Sequence, residues 1–117
     1  MLDTLPDTGV IAHSTVLEAA GQAVALVRRV PAPFRSHADQ VIRAASSVAA
    51  NLSEGHGRTG RDRFDYWRIA YGSAKEVDTF LRLLVNAGAV DTAQTGVALE
   101  LFDQVRAMTR RLLHPIL

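Results

Sequence analysis

The chain contains no cysteine, which excludes disulfide bonds, thiolate metal sites and a cysteine nucleophile. Aromatic residues make up only 6% of it, and no apolar run approaches the roughly 18 residues that a membrane-spanning helix needs. The net charge of +1 is too small to indicate a nucleic-acid partner by itself. Because the N-terminus lacks the basic start and apolar stretch of a secretion signal, we expect a cytoplasmic protein without a membrane partner.

The remaining composition is that of a folded, helical domain. Apolar residues make up 48% of the chain and charged residues 21%, a balance that excludes a disordered chain. The length of 117 residues suits one domain with one hydrophobic core. Residues 1–13 contain Pro6 and Gly9 and show no periodicity, so we expect a flexible N-terminal lead-in there. Residues 14–117 are expected to form a single domain.

Four stretches of this domain place apolar residues at i, i+4 and i+7, the spacing of one helix face. The four stripes are Val16, Ala20, Ala23 and Val27; Val41, Ala45, Val48 and Leu52; Phe64, Trp67, Tyr71, Ala74, Val77, Phe80, Leu81 and Leu84; and Val97, Leu101, Val105, Met108 and Leu112. No stretch shows the alternation of a strand. The sequence therefore predicts an all-α fold, an antiparallel up-and-down four-helix bundle.

Cap and turn residues separate the four helices. Pairs with the spacing of a helix cap are Thr15 and Glu18, Ser36 and Asp39, Thr59 and Asp62, and Asp91 and Gln94. We expect Gly55 or Gly57 to end the second helix in the left-handed conformation, and Gly88 to end the third. Glycines inside helices cost about 1 kcal/mol each relative to alanine, which predicts close approach of neighbouring backbones at Gly21, Gly72 and Gly96.

A polar group follows the apolar stripe of the second helix. Asn51, Glu54 and Arg58 share one face. Across an antiparallel hairpin, Glu54 would pair with Arg61 or Arg63. Asn51 would pair with Arg68 or Asp65. Such a cluster would fix the register of the two helices.

Two chemical alternatives for the same stretch are weaker. An enzyme would use Glu54 as an acid or base with His56 as its proton partner, but residues at i and i+2 of a helix face apart. His13, His37, His56 and His114 are scattered without metal-ligand spacing, so neither a metal nor a cofactor is expected.

Arginines flank the turn after the second helix and the end of the fourth. Arg58, Arg61 and Arg63 would attract an anion at the start of the third helix, although Asp62 and Asp65 dilute their charge. A solvated, charged turn is the simpler interpretation of this group. In the last part of the fourth helix, Arg106, Arg110 and Arg111 complement the helix dipole, which accounts for them without a function.

Two separated stretches resemble the four-helix-bundle proteins encoded in intervening sequences of bacterial 23S ribosomal RNA genes. In the stretch 40–58, the motifs that carry the resemblance are Arg-Ala-Ala-Ser at 43–46 and Asn-x-x-Glu-Gly at 51–55. In the stretch 68–90, the motif is Ala-x-Gly-Ser-x-x-Glu at 70–76. The resemblance covers about residues 15–113. The chain departs from it at Ala49, where the family commonly has proline, and at His56, where an aromatic residue is usual.

The resemblance implies a bundle that assembles as a homo-oligomer, often a pentamer, and it implies no established activity. A related group, the accessory variability proteins of diversity-generating retroelements, forms similar pentamers that bind nucleic acid and a reverse transcriptase. By this likeness, a structural polar cluster between the second and third helices would comprise Asn51, Glu54, Gly72, Ser73 and Glu76. RNA or DNA would be bound by Arg43, Arg58, Arg61, Arg63 and Arg68.

The function expected first is a non-enzymatic oligomeric adaptor that binds nucleic acid through phosphate contacts, without base specificity. In a ring, a weak arginine patch repeats around the axis, so a small charge per monomer permits a multivalent basic surface. The alternative is a protein-interaction module that uses excess apolar surface on the second and fourth helices to bind a reverse-transcriptase-like or other protein. A small enzyme using Glu54 is the least favoured.

Overall fold

The computed structural model describes residues 8–114, with side chains from His13 onward. Over this range the chain forms four α-helices: α1 (Thr8–Val27), α2 (Arg35–His56), α3 (Asp62–Asn86) and α4 (Thr92–Leu113). The 3₁₀ turn Ala32–Phe34 leads into α2. The described residues contain no strand, and the expected all-α four-helix bundle is confirmed.

Each helix packs against its two neighbours around the bundle. α2 lies between α1 and α3, while α4 closes the bundle by contacting both α3 and α1. The broadest of these interfaces joins α2 to α3. Because the helices alternate in direction, the α2–α3 turn lies at the same end of the bundle as the start of α1 and the end of α4.

Some helix boundaries differ from those expected. α1 begins at Thr8, so residues 8–13, which the sequence placed in the lead-in, are helical, whereas residues 1–7 lie outside the described part. Thr15 therefore lies inside α1 and caps nothing. No side chain caps α2 or α3, whose N-cap residues are Phe34 and Arg61, so the two caps expected at Ser36 and Thr59 are wrong. A capping spacing alone does not stop a helix that can add further backbone hydrogen bonds.

Two other boundary signals are confirmed. The Asp91 carboxylate accepts a hydrogen bond of 2.8 Å from the backbone N–H of Gln94 and caps α4. Gly88 ends α3 with φ of 73°, in the left-handed region. In the α2–α3 turn, however, the left-handed residue is Gly60, with φ of 67°, and neither Gly55 nor Gly57.

Close approach of two helices occurs at Gly55. A Cβ atom built there would lie 2.3 Å from Trp67 Nε1 and 3.1 Å from the backbone oxygen of Arg63. Built at Gly21, Gly72 or Gly96, it would meet nothing within 4 Å, the helix's own backbone aside, in the described part of the chain. The predicted close approach of neighbouring backbones at these three glycines is therefore wrong within the single chain.

The buried face is as expected in α2, where all four stripe residues lie in the core, and differs most in α4. Val97, expected in the core, is 52% exposed. Val105 is buried as expected, and the other buried residues of α4 are Thr95, Ala98, Phe102, Thr109 and Leu113. Both threonine hydroxyls donate to the carbonyl four residues earlier in the chain, so they can enter the core without an unsatisfied polar group.

Candidate functional site

A short chain of hydrogen bonds joins α2 and α3. The hydroxyl oxygens of Ser47 and Ser73 lie 2.8 Å apart across the interface. The Asn51 side-chain amide donates to the Ser47 carbonyl at 2.9 Å and to its hydroxyl at 3.1 Å. Ser73 is buried, and its bond to Ser47 fixes the register of the two helices. The sequence did not single out Ser47, because a serine within a run of small residues indicates only close packing until the opposite helix is placed.

A shallow groove of about 550 Å³ lies beside these hydrogen bonds, between α2 and α3. It is lined by Arg43 and Gln40 from α2 and by Glu76 from α3, together with the bonded serines and asparagine. Of the predicted polar cluster, the groove thus brings together Asn51, Ser73 and Glu76. Gly72 and Glu54 do not line it.

We expect Ser73→Ala to lower the free energy of unfolding by about 1 kcal/mol, because the half-buried Ser47 hydroxyl loses its partner across the interface. Chemical unfolding monitored by circular dichroism measures the change. Ser46→Ala is the matched control, since Ser46 is exposed and should stay within about 0.5 kcal/mol of the parent protein. Equal values for the two variants would show that the hydroxyl pair does not stabilise the interface.

The carboxylate of Glu54 pairs within its own region of the chain. Oε2 accepts hydrogen bonds from Arg58 Nη2 at 2.8 Å and Nε at 3.0 Å. A longer contact of 3.4 Å joins Arg58 Nη1 to Asp62. The hydrogen bond to Glu54 is the main cause of a raised pKa at Arg58. The expected pairing of Glu54 with Arg61 or Arg63 is therefore wrong.

The second expected cross-helix pair is wrong as well. Asn51 bonds Ser47, and Arg68 pairs instead with Asp65, three residues earlier on α3, at 3.0 Å. In both cases a partner three or four residues away in the chain takes the place of the one predicted across the hairpin. Arg68 is thus already paired and lies on an exposed flank of α3.

Five arginines lie at the end of the bundle where α2 meets α3 and where α4 finishes. We call this region the arginine end, and its members are Arg58, Arg61, Arg63, Arg110 and Arg111. All five are exposed. The sequence assigned Arg110 and Arg111 only to the helix dipole, because their location at the same end of the bundle as the α2–α3 turn depends on the packing of separate helices. Arg43 lies about 20 Å away along α2, outside this region.

Aromatic rings of α3 support two of these arginines. The guanidinium carbon of Arg63 lies 5.0 Å from the ring centre of Phe64 and 5.6 Å from that of Trp67. The guanidinium of Arg58 lies 5.0 Å from the ring centre of Tyr66. Trp67 itself is only 5% exposed, so the arginine and not the indole faces the solvent.

His56 contacts the same aromatic group edge-on, with its ring centre 5.3 Å from that of Trp67. Burial lowers the pKa of His56, and the electrostatic interaction with His13 on α1 lowers it further. Glu54 and His56 thus contact different partners, the first Arg58 and the second Trp67. Within residues 8–114 no cluster of three or more His, Asp or Glu side chains could hold a metal ion. The helices described here include none that is long and apolar enough to cross a membrane.

These observations define the class of protein: an up-and-down helical bundle with a polar seam between α2 and α3 and arginines concentrated at one end. The chain belongs to the 23S rRNA-intervening sequence protein family, whose model matches residues 15–111. The resemblance found in the sequence is confirmed for this family, and the link to retroelement accessory proteins stays a prediction.

A solved structure has the same fold. It is a protein of unknown function from the S23 ribosomal protein family of Bacteroides thetaiotaomicron VPI-5482, with a TM-score of 0.82. The match covers 92% of this chain and 98% of that chain, at 18% sequence identity. At this identity the likeness shows the fold alone. No curated protein matches the chain.

Proposed function

We propose that this protein is a non-enzymatic, oligomeric adaptor that binds nucleic acid, in the first place RNA, through phosphate contacts of the arginine end. The observation that carries the proposal is the presence of five exposed arginines at one end of the bundle, contributed by the α2–α3 turn, the start of α3 and the end of α4. Of these, only Arg58 pairs with a carboxylate in the described part of the chain. A planar guanidinium matches the geometry of a phosphate and stays charged at all physiological pH values.

The patch is weak in one copy of the chain, and this favours an oligomer. Glu54 and Asp62 neutralise Arg58, which leaves Arg61 and Arg63 as the main charges of the turn. Repetition of the patch around a symmetric ring, five copies in the form that the family likeness suggests, would add these contacts on one polyanion. Phosphate contacts carry no sequence information, so the binding is expected to tolerate any base sequence.

The surface between α1 and α2 supports self-association. A groove of about 760 Å³ runs there, lined mainly by small residues and by Leu17, which is 52% exposed. Gly21 opens onto the same groove. Small side chains allow another helix to approach closely, and we propose a second copy of this chain as its occupant.

Light scattering coupled to size exclusion, with and without a mixed RNA at two salt concentrations, tests the proposal. A closed oligomer that binds RNA at low salt and releases it at high salt is the expected result, because phosphate contacts release counterions. A monomer indifferent to RNA would contradict both the oligomer and the adaptor. An oligomer indifferent to RNA would favour the alternative, a protein-interaction module.

The arginines at the two ends of the bundle provide a matched comparison. We expect Arg61→Gln with Arg63→Gln to weaken RNA binding about tenfold at low salt and to reduce the salt dependence by about two charges. Arg29→Gln with Arg35→Gln removes the same charge at the opposite end, from exposed positions outside the groove between α1 and α2, and should change the affinity less than about twofold. Fluorescence anisotropy with a labelled RNA measures both. Equal losses in the two double variants would show that net charge, and not the arginine end, determines binding.

A further inference from the structure

We propose that the arginine end binds single-stranded nucleic acid in preference to a duplex, because Arg58 and Arg63 offer planar groups on which unpaired bases can stack. The inference rests on the proposed function and specifies its ligand. It follows from the aromatic rings that lie beneath the two guanidinium groups. A surface that only attracts phosphates does not require such rings.

Arg63 covers the aromatic end of the core. Beneath it, Phe64 and Trp67 pack edge to face, with their ring centres 5.4 Å apart and an angle of 83° between the planes. Both rings are buried, so their faces are closed to a ligand. The exposed guanidinium is the planar group that lies outside both rings. An unpaired base could lie on the solvent-facing side of the Arg63 guanidinium, with the two rings on its other side.

Arg58 is held in one orientation by its partners. Hydrogen bonds to Glu54 and a longer contact with Asp62 fix the guanidinium while its ring partner, Tyr66, lies below it. Because these carboxylates already compensate its charge, Arg58 contributes little attraction for phosphate. What it offers is a flat surface whose orientation is fixed before a ligand arrives, which reduces the entropy lost on binding.

The two kinds of nucleic acid differ in what they present to such a surface. In a duplex the base faces are covered by neighbouring bases, and a protein meets phosphates and base edges. In a single strand the bases can turn outward and stack on aromatic or guanidinium planes, whatever their identity. Of the 13 basic Lys and Arg residues in the chain, only Lys75 lacks a planar head group.

The test compares one 20-nucleotide RNA as a labelled single strand and as a duplex, by fluorescence anisotropy at one low salt concentration. The parent protein should bind the single strand about tenfold more tightly. Arg58→Lys with Arg63→Lys keeps the charge and removes the planar groups, so most of this preference should disappear while the affinity for the duplex stays within about twofold. Arg61→Lys is the control, because Arg61 lies over no aromatic ring among the described residues, and the preference should remain.

Each other outcome has a distinct meaning. Equal affinity of the parent protein for the strand and the duplex would overturn the single-strand inference and leave the proposed function standing. A double lysine variant that keeps the full preference would overturn the role of the two guanidinium planes. Absence of binding to both RNAs would overturn the proposed function itself. Thermal unfolding of each variant shows whether a loss of binding follows from a loss of folding. If the double variant is unstable, the single Arg58→Lys variant, which changes an exposed residue, tests the loss of one planar group in a folded protein.

Discussion

Gly55→Ala is expected to lower the free energy of unfolding by about 2–3 kcal/mol, although alanine is the better helix former. The added Cβ would lie 2.3 Å from Trp67 Nε1 and 2.5 Å from Cδ1, closer than two such atoms can approach. The indole has little room to withdraw, because Phe64 packs against it and the Arg63 carbonyl lies 3.1 Å from the same Cβ. Either the ring leaves its position or α2 and α3 separate at the arginine end.

Gly72→Ala is the matched control for this prediction. Its Cβ would meet no neighbour within 4 Å in the described chain, so the variant should be more stable by about 0.5–1 kcal/mol. Urea unfolding monitored by circular dichroism at 222 nm follows both variants without using the emission of Trp67, which Gly55→Ala would itself perturb. Stabilisation of both variants alike would show that the helices can separate at Gly55 without cost.

Asp78→Ala is expected to lower the free energy of unfolding by about 2–3 kcal/mol, because it removes the charged link between α3 and α4. The carboxylate accepts hydrogen bonds from Arg82 at 2.6 Å and from Arg106 at 3.0 Å. The side chains of Asp78 and Arg106 are only 16% and 21% exposed, so the substitution would leave the half-buried Arg106 guanidinium with only its exposed partner on α4, Asp103. Asp65→Ala, which breaks the exposed pair with Arg68, should cost less than about 0.5 kcal/mol.

The contribution of Asp78 should also depend on pH. Burial alone would raise the pKa of Asp78, but the hydrogen bonds from Arg82 and Arg106 together outweigh it and hold the pKa below its ordinary value. The stabilisation is therefore complete above the unfolded pKa of about 3.9 and is lost as the pH falls through the lower folded pKa. The difference in stability between the parent protein and Asp78→Asn should stay constant from pH 7 to about 5 and shrink below about 4. A difference that grows on acidification would contradict this assignment.

The sequence predicted the helices better than the faces they bury. Large aliphatic residues defined the expected stripe of α4, which placed Val97 in the core and left Thr95 and Thr109 out. Each threonine can be buried because its hydroxyl donates a hydrogen bond to the backbone carbonyl one turn earlier. The pattern of apolar residues in the sequence does not reveal this hydrogen bond, because it depends on the side-chain rotamer and not on the residue type.

Prediction of the candidate site was limited in the same way. The family motifs identified Asn51, Ser73 and Glu76, which do meet between α2 and α3. The predicted partner of Glu54 was wrong. The sequence offered Arg61 and Arg63 across the hairpin and Arg58 four residues along the chain, and it contained no signal that distinguished them. The location of Arg110 and Arg111 at the same end of the bundle as the α2–α3 turn depends on the packing of helices that are distant in sequence.

The alternating direction of the helices determines where a tag or label can be attached without disturbing the arginine end. α1 begins and α4 ends at the arginine end, so an affinity tag fused directly before Thr8 or after Leu113 would be attached at that end of the bundle. A polyhistidine tag there would compete with or mimic the arginines. The turn between α3 and α4, around Gly88, lies at the opposite end and is exposed. It is the better position for a fluorophore, a surface-immobilisation handle or an inserted domain.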